Sequence, residues 1–420
     1  MPSKKFAKVI AITAVSAFFS VVFLSGFDDG FAQTSRESSL QLWQKTFDVV
    51  WKTVNEKYFD MSFGGVDWAE IRQRYAPQVA MVQADSELRD LLTRMLGEIR
   101  ISHLHILDLA TLDKQLARAE VSRGLALRNI DNQIVVTRIV EGSPAARAGL
   151  RAGFVVPAVD GVSVTNAKDL EARLATDSEK HSLAILDETD KIREITIEHA
   201  LPPTAKLESV KILNGIRAVL VETRELAENI GYIHFTNFIE PMKKRLPAAF
   251  NSIRTTRGII IDLRGNTGGD TEVGLAMAGL LVDKETTISI TRTRRGDNNG
   301  YKAKPQKNAY SGPIVILVDE ESGSESEEVT AGLQEAGRVF VIGKKSRGED
   351  MDASFQQLPM NSIALLYPVG LPRTPKGVVI EGRGVIPDME VSLTRAQLLT
   401  GIDSQLEAAI RHILGLPTGH

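Results

Sequence analysis

The sequence predicts an α/β multidomain protein in three parts: a helical N-terminal part, a small β-rich part and an α/β layer. Three observations carry that prediction. Apolar residues first recur at helical spacing, then fall into short β-branched runs separated by Gly, Asn and Asp. Beyond residue 229, strands and helices alternate.

The length of 420 residues has room for two or three domains, and 43% hydrophobic with 25% charged residues is the composition of a folded soluble body. Fifty basic residues against fifty-three acidic ones leave a net charge of −3, which gives no general attraction to nucleic acid. With no cysteine, disulfides, thiolate metal sites and a cysteine nucleophile are excluded, so any nucleophile is Ser, Thr, Lys or a carboxylate.

Residues 1–32 read as a targeting segment. Lys4, Lys5 and Lys8 precede an apolar run from Val9 to Phe27, and Gly30-Phe31-Ala32 before Gln33 offers a cleavage point. The expectation is export to a periplasmic or extracellular place. Membrane attachment follows only if the segment stays uncleaved and serves as an anchor.

The helical part is expected over residues 36–117. Leu40, Leu42, Phe47, Val50, Trp51 and Val54 mark a first helix, Ile71 and Tyr75 a second, and Leu88, Leu91, Leu92, Met95 and Leu96 a third. Gly64-Gly65 separates the first two, and Asp85 and Ser86 are expected to cap the third.

A β-rich domain is expected over residues 118–202, with strands at Leu125–Leu127, Ile134–Val136, Val155–Val156, Val162–Val164, Leu183–Leu186 and Ile192–Ile197. Within it, Glu141 to Gly153 followed by Val159-Asp160-Gly161-Val162 resembles the PDZ family, with Phe154 standing where the family usually has Asp. Arg123-Gly124-Leu125-Ala126-Leu127 loosely resembles that family's carboxylate-binding loop. The resemblance implies peptide binding at Gly124, Leu125 and Ala126, by addition of a free chain terminus as a strand. A spacer that binds nothing is the alternative.

The α/β part is expected over residues 203–414. Its strands are Gly231–Phe235, Gly258–Leu263, Ile314–Val318 and Val339–Ile342; its helices run from Met242 to Ile253, Glu272 to Leu281, Glu327 to Ala336 and Ala396 to Leu414. Asp262-Leu263-Arg264-Gly265-Asn266-Thr267-Gly268-Gly269 follows a buried strand and brings backbone amides close to a ligand. Ser322 to Glu327 lies between a strand and a helix. There Ser324 reads either as a hydroxyl at the positive end of a helix dipole or, with Glu327, as a capping box.

Together with Gly343 and Gly384-Val385-Ile386-Pro387-Asp388, these motifs resemble, in order, those of the C-terminal processing, or tail-specific, serine peptidases. One branch of that family uses a lysine base 25 residues after the serine, where this chain has Glu349. The tricorn-core branch, with Ser, His and Glu, is more similar: Trp51, Tyr58, Val66-Asp67-Trp68, Tyr75, and Met95 to His103 match its helical start and histidine motif. The resemblance implies Ser324 as nucleophile, His103 as general base, Glu381 as the group orienting it, and Gly268 and Glu325 as oxyanion amides, with Ser102 and Gly269 as accessory positions. His105 is the alternative base, and a surface pair with Arg383 is the alternative role of Glu381. His181, His199, His412 and His420 lie in no motif, and His234 reads as structural. No cofactor is implied and no metal-ligand spacing is present. Partners are expected to be protein or peptide substrates, with no nucleic acid. The rival reading is an inactive relative that binds chain termini as an adaptor.

Overall fold

The computed structural model describes residues 27–109, 122–174, 178–203, 205–210, 215–298 and 300–417. The lysine-led apolar stretch up to Gly26, the boundary expected near 118 and His420 lie outside the described residues.

The N-terminal helices are α1 (Phe27–Lys57), α2 (Trp68–Tyr75) and α3 (Asp85–Leu96), followed by strand β1 (His105–Asp108). Their apolar stripes meet in one core containing Trp43, Phe47, Val50, Val54, Trp68, Ile71, Leu88, Leu92 and Met95. Trp51 Nε1 donates to the Trp68 carbonyl at 2.9 Å, and Trp68 Nε1 returns the bond to Trp51 at 3.1 Å. Asp67 caps α2 by accepting from the amides of Ala69 and Glu70. The expected cap of α3 is corrected: Ala84 is its N-cap, and Asp85 already lies in the first turn, where its charge favours the helix dipole. Helix α1 runs through Gln33, so the expected cleavage point falls inside it.

The β-rich domain contains β2 (Leu125–Ile130), β3 (Gln133–Ile139), α4 (Pro144–Arg147), β4 (Val155–Val159), β5 (Val162–Ser163), α5 (Ala167–Leu174), β6 (Lys180–Leu186) and β7 (Ile192–Glu198). Its sheet order is β2-β3-β4-β6-β7, which leaves β2 at one edge among the described residues. Phe154 is buried in the domain core with Leu125, Leu127, Val136 and Leu170, so the departure from the usual Asp becomes a packing residue.

The remaining elements are β8 (Ala205–Val210), β9 (Gly215–Leu226), β10 (Ile230–Phe235), α6 (Met242–Ile253), β11 (Gly258–Asp262), α7 (Thr271–Gly279), β12 (Thr286–Thr293), β13 (Gly296–Asp297), β14 (Tyr301–Ala303), β15 (Ile314–Val318), α8 (Glu325–Glu335), β16 (Phe340–Gly343), β17 (Asp352–Gln357), β18 (Ile363–Arg373), β19 (Met389–Glu390), α9 (Arg395–Leu399) and α10 (Ser404–Ile413). A seven-stranded sheet runs β19-β16-β15-β11-β10-β9-β8. From β10 to β19 its neighbours are parallel, while β9 and β8 add antiparallel. Alternate residues of the parallel strands feed two cores. Ile259 and Ile261 face α6, α7 and α8, whereas Ile260 faces Ala408 and Ala409 of α10.

The single helix expected from Ala396 to Leu414 is corrected to two. Gly401 takes φ +81°, and Asp403 restarts the helix by accepting from the amides of Gln405 and Leu406.

Two contacts position the site. Strand β1 pairs antiparallel with β18, with His105 opposite Leu366, and Ile363, Leu365 and Tyr367 of β18 complete the core of the N-terminal helices. The loop just before β1 is thereby fixed to the α/β part. The PDZ-like domain is held by Arg395 of α9, whose Nε donates to the Gly153 carbonyl at 3.0 Å, and by Arg128 of β2, whose Nε donates to Asp319 Oδ2 at 2.7 Å.

Candidate active site

Ser324 sits where β15 gives way to α8, with φ +54° and ψ −128°, a conformation that non-glycine residues seldom adopt. Such a turn costs on the order of 1–3 kcal/mol and persists only when its surroundings hold it. Here they do. Ser324 N donates to the Glu349 carbonyl at 2.9 Å and to Glu327 Oε2 at 3.0 Å. Glu327, buried at α8's first turn, also accepts from the amides of Gly348 and Glu349 and from the Ser346 hydroxyl. The capping geometry read at Ser324 and Glu327 therefore exists on the carboxylate side, and it coexists with the strained turn. Burial pushes the Glu327 carboxyl up, against the four donors that favour its charge.

The Asp262–Gly269 loop lies against this elbow. Asn266 is fully buried: its carbonyl accepts from Gly323 N at 3.0 Å, its Oδ1 accepts from the Ser326 hydroxyl at 2.8 Å, and its Nδ2 donates to the Phe235 carbonyl at 2.9 Å. Gly268 takes φ +89°, and a Cβ there would lie 2.7 Å from both Glu325 N and Ser324 Cβ, so only glycine permits this approach. Of the two expected oxyanion amides, Glu325 N is the first of its helix and has no intrahelical acceptor. The Gly268 amide is already engaged, donating to Asn266 Oδ1 at 2.9 Å. Gly269 forms a parallel bridge with Phe238, and a side chain on it would overlap the Phe238 carbonyl.

His103 lies between α3 and β1 with φ +57°. Among the described residues no hydrogen bond joins it directly to Glu381. Ser102 stands between them. Its hydroxyl is 2.8 Å from Glu381 Oε2 and 2.7 Å from His103 Nδ1, and its amide donates to Glu381 Oε1 at 2.9 Å. A carboxylate only accepts, so the single Ser102 proton goes to Glu381 and the oxygen accepts from Nδ1–H. That assigns the neutral tautomer with a bare Nε2. Burial pushes the His103 imidazole below its ordinary value, and Arg347 and His105 add to this against the nearby Glu381. No ion pair joins Glu381 to Arg383 among the described residues; instead Glu381 Oε2 also accepts from Asp350 N at 2.8 Å.

Consecutive residues thus tie the two halves together: Glu349 through its carbonyl to Ser324, and Asp350 through its amide to Glu381. The Glu349 side chain is exposed, 3.7 Å from Arg347 NH1, and Lys344 Nζ is bound to Glu390 at 2.7 Å. His105 stands on β1. His234, expected to be structural, is buried on β10, hydrogen-bonded to the Asp262 carbonyl and pushed down to about 3 by burial. His181 pairs with Asp160 inside the PDZ-like domain, and His412 stacks on Phe340.

Sequence reading missed Asp319. Its Oδ1 accepts from Gly265 N at 2.9 Å and Glu321 N at 3.1 Å, while Oδ2 holds Arg128. Burial would raise its pKa, but Arg128 and the amides outweigh burial and hold the carboxyl below its ordinary value. In sequence, Asp319 was only the acidic residue ending an apolar strand. Arg128, the other half of the pair, lies in β2 together with Leu125 and Ala126, and Gly124 just before that strand takes φ +78°.

A serine on a strained strand-to-helix turn, a histidine held through Ser102 by Glu381 and an attached PDZ-like module are the parts of an α/β serine hydrolase, although no hydrogen bond joins Ser324 to His103 among the described residues. Residues 229–391 match the model of peptidase family S41, residues 41–97 the tricorn protease C1 domain, and residues 135–186 the PDZ domain. The chain is 26% identical over 386 residues to a carboxyl-terminal-processing protease of Synechocystis sp., covering 89% of this chain and 87% of that one. It is also 26% identical over 402 residues to the putative tricorn protease homolog 2 of Streptomyces coelicolor, covering 89% of this chain and 32% of that one. In fold it is similar to the photosystem II D1 C-terminal processing protease, with a TM-score of 0.57 at 21% identity, covering 90% of this chain and 98% of that one. Over residues 229–391 the chain is similar to peptidase family S41, and it is a serine peptidase carrying a PDZ domain.

Proposed function

We propose that this chain is an exported carboxyl-terminal-processing peptidase acting through Ser324, His103 and Glu381, with Ser102 as the link that makes them a tetrad. The observation that carries the reading is the Glu381–Ser102–His103 chain of hydrogen bonds, which leaves Nε2 of a neutral imidazole as the base.

His103 takes the Ser324 proton as its oxygen attacks the substrate carbonyl, and the positive charge this creates is met through Ser102 by Glu381. The oxyanion is received by Glu325 N and by Gly268 N once the latter exchanges Asn266 Oδ1 for substrate. Collapse with proton return from His103 expels the amine, leaving an acyl-enzyme that water hydrolyses by the same route. Substrates are proteins or peptides whose free C-terminus adds to β2 at Gly124, Leu125 and Ala126, in keeping with the names of the relatives. Export rests on the lysine-led apolar segment before Gln33. Mature chains that begin at Met1 in the cytoplasm would remove that part of the reading.

A fluorophosphonate probe tests the chemistry, because it labels an activated serine and spares an inert one. Labelling is expected in the native chain and not in Ser324→Ala. A native chain that stays unlabelled would assign it to binding without turnover.

A further inference from the structure

Behind the candidate nucleophile, four carboxyl groups meet without a counter-charge. Glu325 and Glu328, three residues apart, project from one face of α8; Asp350 lies just before β17 and Asp352 is that strand's first residue. Glu325 is 2% exposed, Glu328 5% and Asp350 1%. None of the four forms an ion pair among the described residues, and neither oxygen of Glu325 nor Oδ2 of Asp350 has a hydrogen-bond partner there. A side chain at Gly274 of α7 would overlap Glu325 Oε1, so the carboxyl lies flat against that helix.

The groups facing the cluster are acidic or neutral. Thr271 and Gly274 come from α7, Ser289 and Thr291 from β12, and Tyr301 from β14. Glu327 comes from α8 itself and Glu381 from the loop after β18. Ser289 binds Glu328, and Tyr301 OH donates to Asp352 at 3.3 Å. Three buried negative charges beside a half-buried fourth would cost far more than the fold can supply, and such groups take up protons instead. Burial pushes all four carboxyls up, with repulsion inside the cluster adding to it at Glu325, Glu328 and Asp350, and Glu328 reaches about 8.

We propose that Glu325, Glu328, Asp350 and Asp352 form a proton-holding latch that fastens the nucleophile's helix to the turn before β17, and that loss of its protons at alkaline pH opens the site. The latch sits on the two bonds that assemble the site, since Glu349 holds Ser324 N and Asp350 holds Glu381. Protonated, the four carboxyls can lie beside one another without repulsion; ionised, they drive α8 and the start of β17 apart. The functional half of this inference rests on Ser324 being the nucleophile.

The experiment compares the full native chain with Glu328→Gln, using Asp352→Asn as the second variant should the first not fold. Three readouts are taken: the infrared carbonyl stretch of protonated carboxylic acids, the melting temperature against pH, and the fluorophosphonate labelling rate against pH. The native chain is expected to show a protonated-carboxyl band at about pH 7 that the variant reduces, and a melting temperature that starts to fall at about pH 4.5, where such carboxyls ionise in the unfolded chain, and is still falling over the interval from about pH 7 to about pH 9. Over that interval its labelling is expected to slow at least about tenfold, with the loss moved about one pH unit higher in the variant. Absence of the band, or identical alkaline losses in both proteins, overturns the latch. A chain that shows the band and melting trend but never labels overturns the catalytic reading alone.

Discussion

Ser102 is bound to Glu381 twice, its amide at 2.9 Å to Oε1 and its hydroxyl at 2.8 Å to Oε2, so the residue before the histidine is clamped to the carboxylate as a unit. The imidazole is then oriented by a hydroxyl rather than by a charge.

Removing that hydroxyl is the most direct test of the relay. In Ser102→Ala, Nδ1–H loses its acceptor, and kcat is expected to fall about 10- to 100-fold with KM nearly unchanged. Ser102→Thr should recover most of the rate. A kcat unaffected by Ser102→Ala would show that another group holds the ring.

The base is identified by comparing histidine with lysine. His103→Ala should cost at least about two orders of magnitude in kcat/KM, whereas Lys344→Ala and Lys345→Ala should each stay within a few-fold of native. Because burial depresses the His103 pKa, the imidazole remains neutral to lower pH than a free one. Activity should therefore rise through a midpoint below the ordinary value of about 6.5. A rising limb centred well above that value would assign the base to another group.

The Arg128–Asp319 pair connects the PDZ-like domain to the elbow. Arg128→Ala leaves Asp319 charged and buried, and is expected to destabilise the chain by about 3 kcal/mol in denaturant unfolding. The sign comes from linkage: the Asp319 pKa is held below its unfolded value, so the pair's contribution is present above the unfolded value of about 3.8 and is lost as pH falls through the folded one. Labelling of Ser324 should slow in Arg128→Ala, since Asp319 also holds Gly265 and Glu321. Unchanged stability and labelling would show that the pair supports neither the fold nor the elbow.

Terminal recognition is measured on the full-length Ser324→Ala chain, so that binding is seen without cleavage. A peptide with a free apolar C-terminus should bind more tightly than its amidated twin, because only a carboxylate accepts strongly from the loop amides. Equal affinities by calorimetry would leave the PDZ-like domain a spacer.

Much of the architecture is local in origin and so stands in the sequence. Helical spacing from Leu40 to Leu96 gives α1 to α3, near-continuous β-branched runs give β11 and β15, and a mixed run of Ile, Tyr and Phe gives β10; all three strands are buried on both faces. Composition ruled out thiol chemistry, and the order of the Asp262–Gly269, Ser322–Glu327 and Gly384–Asp388 segments pointed to the family. Boundaries that depend on a single residue were less legible: Gly401 and Asp403 split the final helix because one takes a positive φ and the other caps α10. What only the tertiary structure decided are the meetings of residues far apart in the chain. Ser102 reaches Glu381 across 279 residues and Arg128 reaches Asp319 across 191, while the four latch carboxyls converge from α8 and the start of β17. No periodicity encodes such pairs. They arise because β1 docks on β18 and α8 packs beside β17's entry, and buried polar groups then take the partners, or the protons, that the packing leaves them.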